Sequence, residues 1–136
     1  MAKLKIRNAV TVISLLLISG CAIQRTKAPQ IDAKTTFAVN LETQVSQANK
    51  DYTTFFTDVG TAHRNGGLTD SDVAQLNIVG HRLKTIIDEA DRLTRVYATN
   101  YDQNIAAQIG GLLSQISADF TTLFAQRATA LARVKP

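Results

Sequence analysis

The sequence predicts an all-α protein, an elongated up-down-up three-helix antiparallel bundle. Two observations predict it. Apolar residues recur at three- and four-residue intervals through three long segments after residue 31, the period of a helix with one buried face. Only two short breaks rich in Gly, Thr, Asn and Asp separate these segments, and short connections make successive helices pack antiparallel. No segment of strand period competes with them.

The first helix is expected over about 32–64. Phe37, Leu41, Val45, Ala48, Tyr52, Phe55, Val59 and Ala62 form one stripe along it. Gly60 is tolerable inside it, and Gly66-Gly67 ends it by supplying the left-handed geometry of a C-terminal cap. Phe56 lies beside the stripe rather than on it.

The second helix is expected over about 70–98, and its start is the clearest local signal in the sequence. Thr69 is a good N-cap, and Asp70 and Asp72 place negative charge at the positive end of the helix. Leu68 before the cap and Val73 at the fourth helical position have hydrophobic-staple spacing. Val73, Leu76, Gly80, Leu83, Ile87, Ala90 and Tyr97 share one face, which Ile86, Leu93 and Val96 widen. Gly80 on that face predicts a close crossing with a neighbouring helix. On the outer face Lys84/Asp88, Asp88/Arg92 and Asp91/Arg95 have ion-pair spacing, each worth a few tenths of a kcal/mol.

The third helix is expected over about 102–133, capped by Asn100 or Asp102. Ile105, Ile109, Leu112, Ile116, Phe120, Leu123 and Leu131 follow helical spacing, with Phe124 beside them. Gly110-Gly111 within it mark a bend or a tight packing site. Arg127, Arg133 and Lys135 lie towards its negative end.

The segment ahead of the helices carries a different signal. Lys3, Lys5 and Arg7 precede the apolar run 9–18 (AVTVISLLLI), which is followed by small Ser19-Gly20 and then Cys21, the only cysteine. Basic, apolar and small-residue regions in that order are the layout of an export signal. Ile18-Ser19-Gly20-Cys21 resembles the lipobox of a bacterial lipoprotein signal. The resemblance covers about the first 22 residues and does not extend to the helical domain.

The resemblance implies a cleaved signal peptide over 1–20, a lipidated tether over 21–31 and a three-helix domain over 32–136. It also implies a diacylglyceryl group on the Cys21 sulfur, cleavage before that residue and, in many Gram-negative bacteria, acylation of the new amino terminus. Two or three acyl groups give stable anchoring, each buried methylene contributing ~0.8 kcal/mol. An uncleaved membrane helix is the competing reading, but ten apolar residues span ~15 Å, about half of a hydrocarbon core. A plain secretory signal would leave a lone free thiol at the mature N-terminus. Residue 22 is Ala rather than Asp. In enteric-type bacteria Asp there favours retention in the inner membrane, so Ala points to the outer membrane, facing the periplasm.

The overall charge of +4 belongs largely to the targeting segment. Three of the 15 basic residues precede Cys21, whereas all 11 acidic residues follow it, so the remainder is +1. Phosphate binding needs clustered positive charge, and no nucleic-acid partner is expected. With Cys21 acylated, no thiol remains for a disulfide or a cysteine metal site.

Residues able to do chemistry are few. His63 and His81 are the only histidines and lack zinc-site spacing. Asp88, Glu89 and Asp91 are the one dense acidic cluster. Paired carboxylates can hydrolyse a glycan, yet arginines four residues on favour a solvated, ion-paired face. There is no nucleophile elbow and no phosphate-binding glycine loop. No metal, cofactor or catalytic residue is therefore expected. Phe56 and Phe124 are the candidate partner contacts. The reading that follows is a membrane-anchored binding or structural module of the cell envelope. Its partner would be another envelope protein or a second copy, in a phage, conjugation or envelope complex. The alternative is a small envelope hydrolase with an unrecognised carboxylate site.

Overall fold

The computed structural model describes residues 32–134. The protein divides into two units, Met1–Gln30 and Ile31–Pro136, and the first lies outside the described residues. So do the expected signal peptide, the lipobox with Cys21, the whole tether over 21–31, and Lys135.

Three helices account for almost all of the described residues. They are α1 over Ala33–Arg64, α2 over Asp70–Asn100 and α3 over Gln103–Arg133. Each is close to 32 residues long, or ~48 Å. Side-chain pairs set the directions. Phe37 meets Tyr97 and His63 meets Asp70, so α1 and α2 run antiparallel. Arg82 meets Asp119 and Arg133 meets Asp72, so α2 and α3 do the same. The expected up-down-up bundle is the observed fold. Within it α2 is the middle element, packing closely along both neighbours, while α1 and α3 touch more sparingly.

The ends of the helices follow the sequence signals. Thr69 caps α2 in a full capping box: its hydroxyl accepts the Asp72 amide at 3.2 Å, and Asp72 accepts the Thr69 amide at 3.0 Å. Leu68 is buried, and Val73 packs against the same core cluster, as a staple requires. Gly66 adopts φ +73° and Gly67 donates to Ala62 at 2.8 Å, closing α1. Asp102 caps α3 by accepting the Asn104 amide at 2.7 Å. Between α2 and α3 the backbone turns through Tyr101, which sits in left-handed geometry at φ 55°. That turn is tighter than expected, because α2 continues to Asn100 rather than stopping at about 98.

Two buried clusters fill the bundle. The larger includes Val45, Phe55, Val59, Leu76, Leu83, Ile87, Ile116 and Leu123. The smaller, near the start of α1, holds Ala38, Leu41, Leu93, Tyr97, Ala106 and Ile109. One expected core residue is misplaced. Phe37 is 44% exposed and Ala38 is buried instead. The buried positions of α1 begin 38, 41, 45, 48, a three-four-three spacing that Phe37 breaks. Tyr52, Ala62, Val73, Leu112, Phe120 and Leu131 pack against the core from its margin rather than inside it.

The outer face of α2 also differs in detail. Lys84 pairs with Asp88 and Arg95 with Asp91, as expected. Arg92 takes Glu89 at 2.6 Å instead of Asp88, since Lys84 already holds Asp88. The frequent threonines serve the helices themselves. Thr43, Thr53, Thr57, Thr61, Thr85, Thr121, Thr122 and Thr129 each donate to the carbonyl four residues back.

Gly110-Gly111 is not a tight packing site. Both are exposed, and a Cβ at either would meet nothing within 4 Å. Glycine in a helix interior costs about 0.5–1 kcal/mol relative to alanine. Gly110→Ala and Gly111→Ala should each raise the free energy of unfolding by that margin, read from the shift of the denaturation midpoint. A loss of stability in both would show that α3 needs glycine there.

Candidate functional site

The two phenylalanines singled out by the sequence sit on either side of a third. Successive helical residues point about 100° apart. At Phe55 and Phe56 this sends one ring towards α3 and the other towards α2. Phe55 is buried, 2% exposed, and meets Phe124 edge-on with ring centroids 5.2 Å apart. Phe56 lies against Gly80, where a Cβ would fall 2.2 Å from the ring's Cζ. The close crossing expected at Gly80 is thus made by an aromatic ring.

These contacts form a continuous ladder. Tyr52 packs on Phe56 at 4.7 Å, Phe56 on Phe55 at 5.2 Å, Phe55 on Phe124, and Phe124 on Phe120 at 6.2 Å. Aromatic pairs in such arrangements contribute ~0.5–1.5 kcal/mol beyond their buried area. One rung, Phe55 on Phe124, crosses from α1 to α3. Arg127 completes the ladder, its guanidinium 5.7 Å from the Phe55 centroid and 3.7 Å from Asp58. The sequence places Arg127 near a helix end and gives no sign of this role, because its partners come from another helix.

Phe56 and Phe124 therefore do not make one surface. Phe56 is half-buried and spent on Gly80. Phe124 is 53% exposed and is the rung of the ladder most open to solvent.

Two buried carboxylates are paired with arginines, whereas the Nε of Arg127 is buried without a hydrogen-bond partner. Arg82 donates to buried Asp119, from Nε at 3.0 Å and from a second guanidinium nitrogen, which holds the Arg82 pKa above its ordinary value. Asp72 accepts from the Thr69 amide and hydroxyl and from Arg133 at 2.6 Å. The Thr69 hydrogen bonds, with the Arg133 charge, hold its carboxyl below the ordinary 3.8. The stability it contributes is present above that value and is lost as pH falls through the lowered one. An open groove between the start of α2 and the end of α3 runs past this pair, lined also by Gln75, Gln126 and Thr129.

The remaining candidates are dispersed. His63 Nε2 lies 2.8 Å from Asp70, tying the end of α1 to the start of α2. His81 stands exposed on α2. Of the acidic cluster, Asp88, Glu89 and Asp91 each face a different cation. The Arg92 hydrogen bonds hold Glu89 below its ordinary 4.5, which suits an ion-paired surface and not a proton donor. Among the described residues no group of three His, Cys, Asp or Glu is placed to hold a metal ion, and no helix is long and apolar enough to cross a membrane.

Fold and side-chain arrangement define the described unit as an antiparallel three-helix bundle. No family model, curated protein or solved structure matches the protein.

Proposed function

We propose that this protein is a bacterial lipoprotein, held on a membrane by lipid at Cys21, whose helical domain is a binding or structural module of the cell envelope. One observation carries the reading: the only cysteine follows Ile18-Ser19-Gly20 at the end of a basic-then-apolar segment. Ala22 favours the outer membrane, with the bundle in the periplasm. The domain supports a role in docking rather than in chemistry. Its clustered carboxylates are divided among separate cations, whereas its long helices offer extended faces. The partner on this reading is another envelope protein or a second copy, reached through a surface that includes Phe124.

Growth with labelled palmitate tests the anchor. Wild type should take up label and Cys21→Ser should not; a labelled Cys21→Ser protein overturns the proposal. Docking is tested by neutralising His63, His81, Asp88, Glu89 and Asp91 together and, separately, by Phe124→Ser. Cross-linking in cells should survive the first change and fail in the second, with circular dichroism showing both folded. The reverse pattern would direct attention to the hydrolase reading.

A further inference from the structure

We propose that Asn65 is the spontaneous deamidation site of this protein, so that the α1–α2 turn gains a negative charge with age. Asn65-Gly66 is the only asparagine-glycine pair in the sequence. The other asparagines of the described residues, Asn40, Asn49, Asn77, Asn100 and Asn104, lie in helices and precede Leu, Lys, Ile, Tyr and Ile. A substituent on the following residue shields its amide, and helical hydrogen bonding holds that amide away from the asparagine carboxamide. Asn65 is free of the first restraint, since Gly66 has no side chain, and is held by a turn rather than by helix interior. Both residues lie beyond the end of α1 and are exposed, and apart from its chain neighbours nothing comes within 4 Å of the position a Gly66 Cβ would take.

The chemistry needs only water and hydroxide. Hydroxide removes the Gly66 amide proton, and the nitrogen attacks Asn65 Cγ. A new bond forms between that nitrogen and Cγ, the bond from Cγ to Nδ2 breaks, and Nδ2 leaves as ammonia after taking a proton from water. Water then opens the five-membered succinimide at one carbonyl or the other, giving aspartate or isoaspartate without any change of oxidation state.

The native turn restrains this step without blocking it. Asn65 has ψ 7°, which holds the Gly66 nitrogen out of line with Cγ, and the Gly66 amide donates to His63 O at 3.0 Å. Reaction passes through local opening of the turn, which costs less than global unfolding where few buried contacts are lost. The product matters to the bundle. A carboxylate at residue 65 stands at the negative end of α1, beside His63 and Arg64 in sequence and facing a turn that also carries exposed Asp70. It competes with Asp70 for His63. Isoaspartate also lengthens the backbone by one methylene, which breaks the Gly66 and Gly67 closures.

The test uses the full-length protein, folded, incubated in mildly alkaline buffer well below its melting temperature. Peptide mapping and isoaspartyl assay follow each asparagine, with a urea-unfolded sample alongside. Conversion should concentrate at Asn65, shift the protein to a more acidic charge form, and be lost in Asn65→Gln. It should be slower in the folded than in the unfolded sample, yet measurable in both. An Asn65 that stays an amide in the folded protein while the unfolded sample converts overturns the proposal, as does faster conversion at any helical asparagine.

Discussion

Leu83→Ala and Ile116→Ala should each lower the free energy of unfolding by about 2–5 kcal/mol. Leu83 is fully buried and Ile116 is 4% exposed, and both belong to the larger cluster joining the helices. Alanine removes their packing atoms and leaves a cavity that long helices cannot close locally. In a domain of this size each kcal/mol moves the melting temperature by roughly 4–8 °C. Phe37→Ala provides the contrast. Its ring is large but 44% exposed near the start of α1, so its loss should be the smallest of the three. Thermal and urea unfolding of the three variants check the order. A cost below about 1 kcal/mol at both Leu83 and Ile116 would mean that their stripes face a missing partner.

The fold is legible because this sequence punctuates its helices with local chemistry. Thr69 and Asp72 bond each other's backbone amides whatever lies elsewhere, as does Asp102 with the Asn104 amide. Buried stripes are equally local, since a helix fixes which residues share a face. Legibility fails where a choice depends on what a neighbouring side chain or helix already covers. Hydrophobicity favours Phe37 over Ala38, although only Ala38 keeps the register of Leu41 and Val45. Arg92 has acidic residues at both three- and four-residue spacing, and Lys84 decides between them by occupying Asp88.

The candidate surface is less legible for the same reason. Phe56 and Phe124 both lie beside apolar stripes, and nothing in the spacing says which flank another helix covers. The rotation of α1 sends Phe56 onto Gly80 and leaves Phe124 at the α1–α3 join. Asp119 carries no signal at all. It follows the apolar spacing of α3 only as a buried position, and its partner Arg82 lies 37 residues away. A surface that works by shape has no motif, whereas an anchor read by an enzyme needs one. On the proposed reading, that asymmetry is why Cys21 stands out in the sequence and a docking face does not.

Gly80→Ala should destabilise the bundle even though alanine is the better helix former by up to about 1 kcal/mol. The added methyl would lie 2.2 Å from Phe56 Cζ and 2.8 Å from Cε2, so the ring must leave. It is held by Tyr52 on one side and Phe55 on the other, and moving it breaks the ladder that reaches α3. The net loss expected is about 1–3 kcal/mol, the usual range for overpacking. A double-mutant cycle isolates the cause. In a Phe56→Ala background the site is empty, and Gly80→Ala should be neutral or stabilising by up to about 1 kcal/mol. The difference between backgrounds measures how far glycine at this crossing exists to admit the ring. Equal effects in both would mean that Phe56 swings aside without cost and that Gly80 serves some other purpose. Cross-linking through position 124 in the same variants adds a second readout. Displacing Phe56 disturbs Phe55, and Phe55 meets Phe124, so if the proposed docking uses Phe124, Gly80→Ala should weaken it as well as stability, while Gly110→Ala should change neither for the worse.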